Sequence, residues 1–158
     1  MKSFKTVLLQ MITFLYGDIF DSPNGNSLAH CISKDAKMSK GIALQFVTNF
    51  PLLNMLRQTY MYVGTAEAVP VRGFFIYNLV SKHRYWMKPS LEALKSCLSS
   101  MLEHAVLHQV SNISVPQLGG GCDKLDFKAD VLPLLITLFE NSPVHIHVYF
   151  DVASPLLR

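Results

Sequence analysis

A run of three glycines at residues 119–121 follows an apolar stretch at residues 113–115 and is followed closely by Asp123. At the carboxyl end of a strand in an α/β sheet, bare backbone amides can surround a phosphate, and glycine permits that close approach. The Rossmann pattern and the Walker lysine are both absent, and a plain turn that uses glycine to reach positive φ is an equally open interpretation. The run is therefore a candidate anion site.

A second loop of this kind contains Ser39, Lys40 and Gly41, between a strand-like run at residues 27–33 and a helical stretch. It presents backbone amides at a helix N-terminus, where anions bind. Two such loops together suit two phosphates. The alternative is that Ser39 caps the helix and Lys40 is solvated.

Lys82 ends an apolar run and is followed by His83, Arg84 and Lys88. A lysine nucleophile must lose its proton, which partial burial and nearby positive charges favour. A solvated lysine is the ordinary alternative at a strand end. Asp123 has an ordinary alternative as well, as a carboxylate that begins a helix.

Two histidine arrangements are weaker candidates. His145 and His147 share one face of the last predicted strand, but no third metal ligand lies near them in the sequence, so a half-exposed strand face is favoured over a metal site. His30 and Cys31 are adjacent in a strand, so their side chains point to opposite faces and cannot work as a nucleophile and base pair. We predict no metal site.

The elements that position these residues alternate between strands and helices. Short apolar, β-rich runs predict strands at residues 7–16, 27–33, 66–71, 73–80, 113–115 and 144–150. Helical spacing predicts helices at residues 41–50, 52–60, 90–108 and 127–139, the last with Pro133 as a kink or break. The alternation indicates an α/β fold with a mixed, mostly parallel sheet covered by helices on both faces.

Composition restricts the class of protein. The 158 residues fit one domain, and an apolar share of 50% with 16% charged residues argues against disorder. The net charge of +3 permits nucleic acid as a partner without demanding it. Three cysteines without a Cys-x-x-Cys pair disfavour a disulfide framework and favour a reducing compartment.

The N-terminal segment imitates a signal peptide. Lys2 and Lys5 precede an apolar run at residues 6–16, but no small-residue cleavage site follows it. The run is also too short to span a bilayer. We predict an opening strand or strand pair, and an intracellular protein that does not associate with membranes.

Four motifs in a fixed order carry a resemblance to a known family. They are Tyr16-Gly17-Asp18-Ile19-Phe20, then Ser27-Leu28-Ala29-His30-Cys31-Ile32-Ser33 with Met38-Ser39-Lys40-Gly41-Ile42-Ala43, then Leu79-Val80-Ser81-Lys82 with Lys88-Pro89, and Pro116-Gln117-Leu118-Gly119-Gly120-Gly121-Cys122-Asp123. The ordered set resembles the macrodomains of the terminal ADP-ribose glycohydrolase type, and is also similar to antitoxin macrodomains that act on ADP-ribosylated DNA. The match covers about residues 12–149 of a single macrodomain at residues 1–158.

The resemblance implies a three-layer α/β/α sandwich with ADP-ribose in a cleft across the strand ends. It implies that Asp18 accepts a hydrogen bond from the adenine amino group and that Ile19 packs on the ring. Lys82 aligns with the family's catalytic lysine, and Asp123 with its catalytic aspartate. The full set of implied ligand-binding residues is Asp18, Ile19, His30, Ser33, Ser39, Lys40, Gly41, Ile42, Leu118, Gly119, Gly120, Gly121, Cys122 and Tyr149.

The implied activity is removal of mono-ADP-ribose from acidic side chains, and hydrolysis of related esters such as O-acetyl-ADP-ribose, without a cofactor. Two alternatives remain open, namely a non-catalytic module that binds ADP-ribose and an ADP-ribosyl-DNA glycohydrolase. The expected partners are ADP-ribose, ADP-ribosylated protein and, under the last alternative, ADP-ribosylated nucleic acid. We expect a monomer in the nucleus, the cytoplasm or both.

Overall fold

The computed structural model of the chain describes residues 11–120 and 124–150. Its strands are β1 (Ile12–Tyr16), β2 (Ser27–Ser33), β3 (Ala66–Val71), β4 (Phe74–Lys82), β5 (Asn112–Val115) and β6 (His145–Phe150). Its α-helices are α1 (Gly41–Asn49), α2 (Leu91–Leu107) and α3 (Leu132–Phe139). Shorter helical segments are the 3-10 turns Ile19–Asp21 and Pro51–Gln58 and the π-helical turn Phe127–Val131.

The six strands form one mixed sheet in the order β1-β6-β5-β2-β4-β3. Every neighbouring pair is parallel except β3 with β4, which is an antiparallel hairpin. The carboxyl ends of β1, β6, β5, β2 and β4 therefore meet at one edge of the sheet. This topology confirms the predicted α/β class with a mostly parallel sheet.

Helices cover both faces of the sheet because successive apolar residues of the central strands point to opposite faces, which makes each face apolar. One core packs α1 and the segment Pro51–Gln58 against β2 and β4, and includes Phe46, Leu53, Ile32, Ile76 and Val80. The other core packs α2 and α3 on the opposite face, and includes Leu98, Met101, Leu135, Tyr77 and Ile146. We refer to these as the α1-face core and the α2-face core. The predicted three-layer sandwich is confirmed.

The longest helix follows its sequence signals closely. Ser90 caps α2, and its side chain accepts a hydrogen bond from the backbone N–H of Ala93 at 3.0 Å. The buried residues Leu94, Leu98, Met101 and Ala105 recur at helical spacing along the face that meets the sheet. The helix predicted at residues 90–108 is confirmed.

Two other helical predictions were right in position but not in type. The segment predicted at residues 52–60 is a 3-10 helix at Pro51–Gln58, with Pro51 at its start, where a missing N–H costs least. The segment predicted at residues 127–139 divides into the π-helical turn and α3. Pro133 lies in the first turn of α3, so of the predicted kink or break the structure shows the break, at the junction of two helical segments.

Only part of the first predicted strand lies within the described residues. β1 starts at Ile12, and residues 7–10 of the predicted strand lie outside the described part of the chain. None of the helices described is long and apolar enough to cross a membrane.

Candidate functional site

Several predicted site residues within the described part of the chain lie at the edge where the parallel strands end, which we call the carboxyl edge. Asp18 follows β1, Ser33 ends β2, Lys82 ends β4 and Tyr149 is the penultimate residue of β6. The loop at residues 116–120 follows β5 at the same edge. Residues distant in sequence are thus brought together, as open α/β sheets do at their ligand sites.

Lys82 and Ser33 lie side by side. They are partners in the parallel register of β2 and β4, just after an irregularity between Ile32 and Ser33. The backbone N–H of Lys34 donates to the carbonyl oxygen of Lys82 at 2.8 Å, which ties the two strand ends together. Lys82 is only 9% exposed and Ser33 5%. Both side chains are therefore buried polar groups at the carboxyl edge.

The loop between β2 and α1 has an unusual backbone. Ala36 and Met38 adopt positive φ values of 51° and 46°, although neither is glycine, and both are buried. Such residues persist only where the surrounding structure fixes them, and they cluster at functional sites. Gly41 follows with φ 57°, a conformation that glycine adopts without strain.

The start of α1 corrects one alternative from the sequence. The N-cap residue is Lys40, not Ser39, and Lys40 makes no side-chain capping hydrogen bond among the described residues. Ser39 and Lys40 are both exposed, and Ile42 is half-buried. The amino end of α1 therefore offers backbone N–H groups that can donate hydrogen bonds to an anion.

The loop after β5 requires glycine on two grounds. Gly119 has φ 80°, and a Cβ there would lie 2.9 Å from Cδ1 of Leu125. The N–H of Gly120 donates to the carbonyl of Gln117 at 3.1 Å, while Leu118 is buried below. The rest of the predicted cradle, Gly121, Cys122 and the catalytic candidate Asp123, lies outside the described residues.

At the other end of the edge, Asp18 is exposed and begins the 3-10 turn after β1. Its Oδ1 accepts a hydrogen bond from the N–H of Phe20 at 3.0 Å. Ile19 is only 4% exposed and packs in the α1-face core, so it supports the loop from below. Tyr149 is half-buried and packs against the same core, and partial desolvation raises the pKa of its hydroxyl.

His30 is a core residue and not a surface ligand. Its ring is fully buried and stacks on Phe46, with ring centroids 3.9 Å apart. Nε2 lies 2.6 Å from Oδ1 of Asn78, whose Nδ2 donates to two backbone carbonyls, so Nε2 carries the proton. Burial lowers the pKa of His30 to about 4 against the opposing effect of Asn78. The predicted contact between His30 and a ligand is corrected accordingly, because a fully buried ring presents no surface to a ligand.

The structure describes both of the weaker histidine arrangements found in the sequence. His30 packs in the α1-face core, whereas Cys31 packs against the other core, so they lie on opposite faces. The rings of His145 and His147 stack 4.3 Å apart, and each is hydrogen-bonded, to Thr13 and to Asn112 respectively. Within residues 11–120 and 124–150, no three His, Cys, Asp or Glu side chains are grouped so as to hold a metal ion.

One residue at this edge escaped the sequence analysis. Asp35, two residues beyond β2, accepts hydrogen bonds from the hydroxyl of Ser33 and from the backbone N–H of Tyr85. It therefore spans the ends of β2 and β4. The available signal in the sequence was a carboxylate just past the end of a predicted strand.

Comparisons with known proteins establish the class of fold. The macrodomain of Mycobacterium tuberculosis DarG superposes with a TM-score of 0.79 at 24% identity, covering 87% of this chain and 96% of that one. Thermosipho africanus DarTG in complex with ADP-ribose gives a TM-score of 0.81 at 17% identity, covering 94% of this chain and 44% of that one. The fold is that of a macrodomain.

Sequence relatives then narrow the class to a family. The human protein ADP-ribose glycohydrolase OARD1 is 35% identical over 138 residues, which is 87% of this chain and 90% of the relative. The corresponding Bos taurus protein is 34% identical over the same coverage. No protein-family model matches the sequence. The chain belongs to the macrodomain family of ADP-ribose glycohydrolases, which are hydrolases, and the prediction of a macrodomain hydrolase is confirmed.

Proposed function

We propose that this protein removes mono-ADP-ribose from acidic side chains and hydrolyses related ADP-ribose esters, with Lys82 as the nucleophile and Asp123 as the acid–base group. The observation that carries the proposal is Lys82 itself. A lysine 9% exposed at the end of β4, beside Ser33 at the end of β2, is costly to bury and is held where ligands of α/β sheets bind.

The proposed reaction is a double displacement at the anomeric carbon of the distal ribose. The neutral ε-amine of Lys82 forms a bond to this carbon, and the bond from the carbon to the acyl oxygen breaks, so the acceptor leaves as a carboxylate. Water then attacks the lysyl adduct, which releases ADP-ribose and restores the amine. Asp123 takes up the proton from the attacking group and returns it, as a carboxylate can in general acid–base catalysis.

The remaining groups at the carboxyl edge suit the other parts of ADP-ribose. Asp18 is an exposed acceptor, and adenine presents an amino donor. The amino end of α1 offers backbone amides to the diphosphate, and glycine at positions 119 and 120 lets the backbone approach it closely. Since these groups lie at the ends of β1, β2 and β5, the ligand extends along the edge with its distal ribose at Lys82.

The direct test uses a protein substrate that carries mono-ADP-ribose on glutamate. We expect wild-type protein to release ADP-ribose, and Lys82→Ala and Asp123→Ala to lose at least about 100-fold in kcat while still binding ADP-ribose. Lys95→Ala, at an exposed lysine on α2, is the matched control and should be unchanged. Tight binding of ADP-ribose without release by the wild type would instead indicate a non-catalytic module.

A second candidate acceptor is single-stranded nucleic acid, and one surface favours it. Exposed aromatic rings lie next to two lysines of the loop that follows β2. Nζ of Lys34 is 5.0 Å and 5.9 Å from the ring centroids of Tyr60 and Tyr62, and Nζ of Lys37 is 4.1 Å from that of Tyr85. Trp86 is next in sequence and 71% exposed. Aromatic faces combined with cations stack unpaired bases and neutralise phosphates.

This second candidate has its own test. A labelled single strand of about 12 nucleotides should bind with an affinity that falls as salt rises, and Trp86→Ala should weaken it several-fold. Leu107→Ala, at an exposed apolar residue at the end of α2, is the control. Equal binding by Trp86→Ala and wild type would remove this candidate. An intracellular, monomeric protein remains our expectation under either acceptor.

A further inference from the structure

Asp35 connects the two strand ends that carry the site. One oxygen of its carboxylate accepts a hydrogen bond from the hydroxyl of Ser33, the register partner of Lys82. The other oxygen accepts from the backbone N–H of Tyr85 at 3.2 Å, three residues beyond Lys82. The carboxylate thus bridges the end of β2 to the loop that leaves β4.

The backbone around Asp35 holds the carboxylate in this place. Ala36 has φ 51°, is fully buried, and donates its N–H to the carbonyl of Ser33 at 2.9 Å. Met38 has φ 46° and is buried as well. A left-handed alanine and methionine are strained, and such strain is retained where it secures a functional geometry. The sharp turn after β2 directs the Asp35 side chain back across the strand ends.

The hydrogen bond to Asp35 fixes the polarity of Ser33. A serine hydroxyl has one proton and two lone pairs. Because the proton goes to the carboxylate, which accepts only, the Ser33 oxygen can act towards anything else solely as an acceptor. An acceptor at this place recognises a sugar hydroxyl and does not recognise a phosphate oxygen.

We propose that Asp35 is a positioning residue that makes Ser33 the acceptor for a hydroxyl of the distal ribose and holds the loop after Lys82 in place. The inference rests on the proposed function, which puts the distal ribose at Lys82. Lys37 contacts the same loop through the ring of Tyr85, with its Nζ 4.1 Å from the ring centroid. Asp35 does not itself touch the reacting atoms.

The test compares the binding of ADP-ribose with that of ADP, which lacks the distal ribose, by calorimetry. Asp35→Asn preserves the side-chain size, but its amide can donate to Ser33 and so turn the serine proton outwards. We expect about tenfold weaker binding of ADP-ribose and less than twofold change for ADP. Ser33→Ala should have the same selective effect, and the double variant should lose no more than either single variant.

Asp130→Asn, at a half-buried aspartate before α3, is the matched control for both ligands. Equal weakening of ADP and ADP-ribose would mean that Asp35 merely stabilises the fold, and no weakening of either would remove its role, so both results overturn the proposal. If Asp35→Asn shows no cooperative thermal unfolding, Ser33→Ala decides, since it leaves the contact of Asp35 with Tyr85 intact. Unselective or unchanged binding by Ser33→Ala would then overturn it.

Failure of the proposed function is distinguishable from failure of this inference. If wild-type protein binds ADP-ribose but releases none from glutamate, the hydrolase proposal fails, while the comparison of ADP-ribose with ADP still tests Asp35. If Asp35→Asn binds ADP-ribose and ADP as the wild type does, and the wild type is active, only the proposal for Asp35 fails.

Discussion

The two ends of the same parallel strands differ in how they use polar groups. At the carboxyl edge, Ser33 and Lys82 are buried together below a loop with strained, left-handed residues. At the amino edge, a groove of about 470 Å³ is lined by residues that include Ser27, Phe74 and Asn112. The chemistry that we propose lies at the opposite end of the same strands.

Polar groups at the amino edge serve to hold strands together. Ser27 accepts a hydrogen bond from the N–H of Phe75 at 3.1 Å, and Asn26 donates to Ser114 at 3.3 Å. Asn112 is hydrogen-bonded to His147 at 2.9 Å. The proposed ligand site thus differs from the amino edge in its left-handed backbone and in the lysine buried at a strand end.

Glycine substitutions should separate the two edges most strongly. Gly119→Ala introduces positive-φ strain and a contact of 2.9 Å with Leu125, so we expect a loss of about 2–4 kcal/mol in the free energy of unfolding and ADP-ribose binding weakened more than tenfold. Gly73→Ala in the β3–β4 turn has φ 87° but open space, and should cost about 1 kcal/mol with binding unchanged. Denaturant unfolding and calorimetry measure both effects, and equal losses of binding would break the comparison.

The next effect concerns acid stability and His30. Because burial lowers its pKa to about 4 from an unfolded value of 6.5, the unfolded state binds more protons between these pH values. Stability is therefore complete above pH 6.5 and falls as the pH drops towards 4, by about 3 kcal/mol from His30 alone.

Replacement of His30 tests this assignment. His30→Gln should flatten the pH dependence of the unfolding free energy in that window. His104→Gln, at the amino edge, should change it less, because His104 is more accessible, although burial and His108 lower its pKa too. If the His30 variant keeps the wild-type pH profile, the buried neutral imidazole is not the cause of the acid sensitivity.

The smallest predicted effect is at the adenine end of the carboxyl edge. Asp18→Asn should weaken ADP-ribose binding by about tenfold, because a charged acceptor for the amino group is lost. An analogue with hypoxanthine in place of adenine presents a carbonyl there, so the variant should bind it as well as wild type or better. Unchanged discrimination between the two bases would remove Asp18 from the adenine subsite. Glu67→Gln on β3 is a carboxylate control.

The sequence predicted the strands and the longest helix because their apolar spacing is local. It did not predict the 3-10 and π-helical segments, since packing against the sheet decides which hydrogen-bond pattern a short apolar helix adopts. His30 shows the same limit for the site, as its burial under Phe46 depends on α1 folding across β2. The bridge formed by Asp35 could not be predicted from the sequence either, because it requires left-handed backbone at Ala36 and a partner 50 residues away.

The central claim is that Lys82 forms a covalent bond to the distal ribose. The lysyl adduct is a glycosylamine whose ribose ring opens to a Schiff base, which borohydride reduces to a stable secondary amine. The most direct measurement is to add borohydride during turnover of glutamate-linked substrate and map the modified peptide by mass spectrometry. We expect ADP-ribose to be trapped on Lys82 in the wild type and on no lysine in Lys82→Ala. Undiminished turnover by Lys82→Ala, or trapping at another lysine, would contradict it.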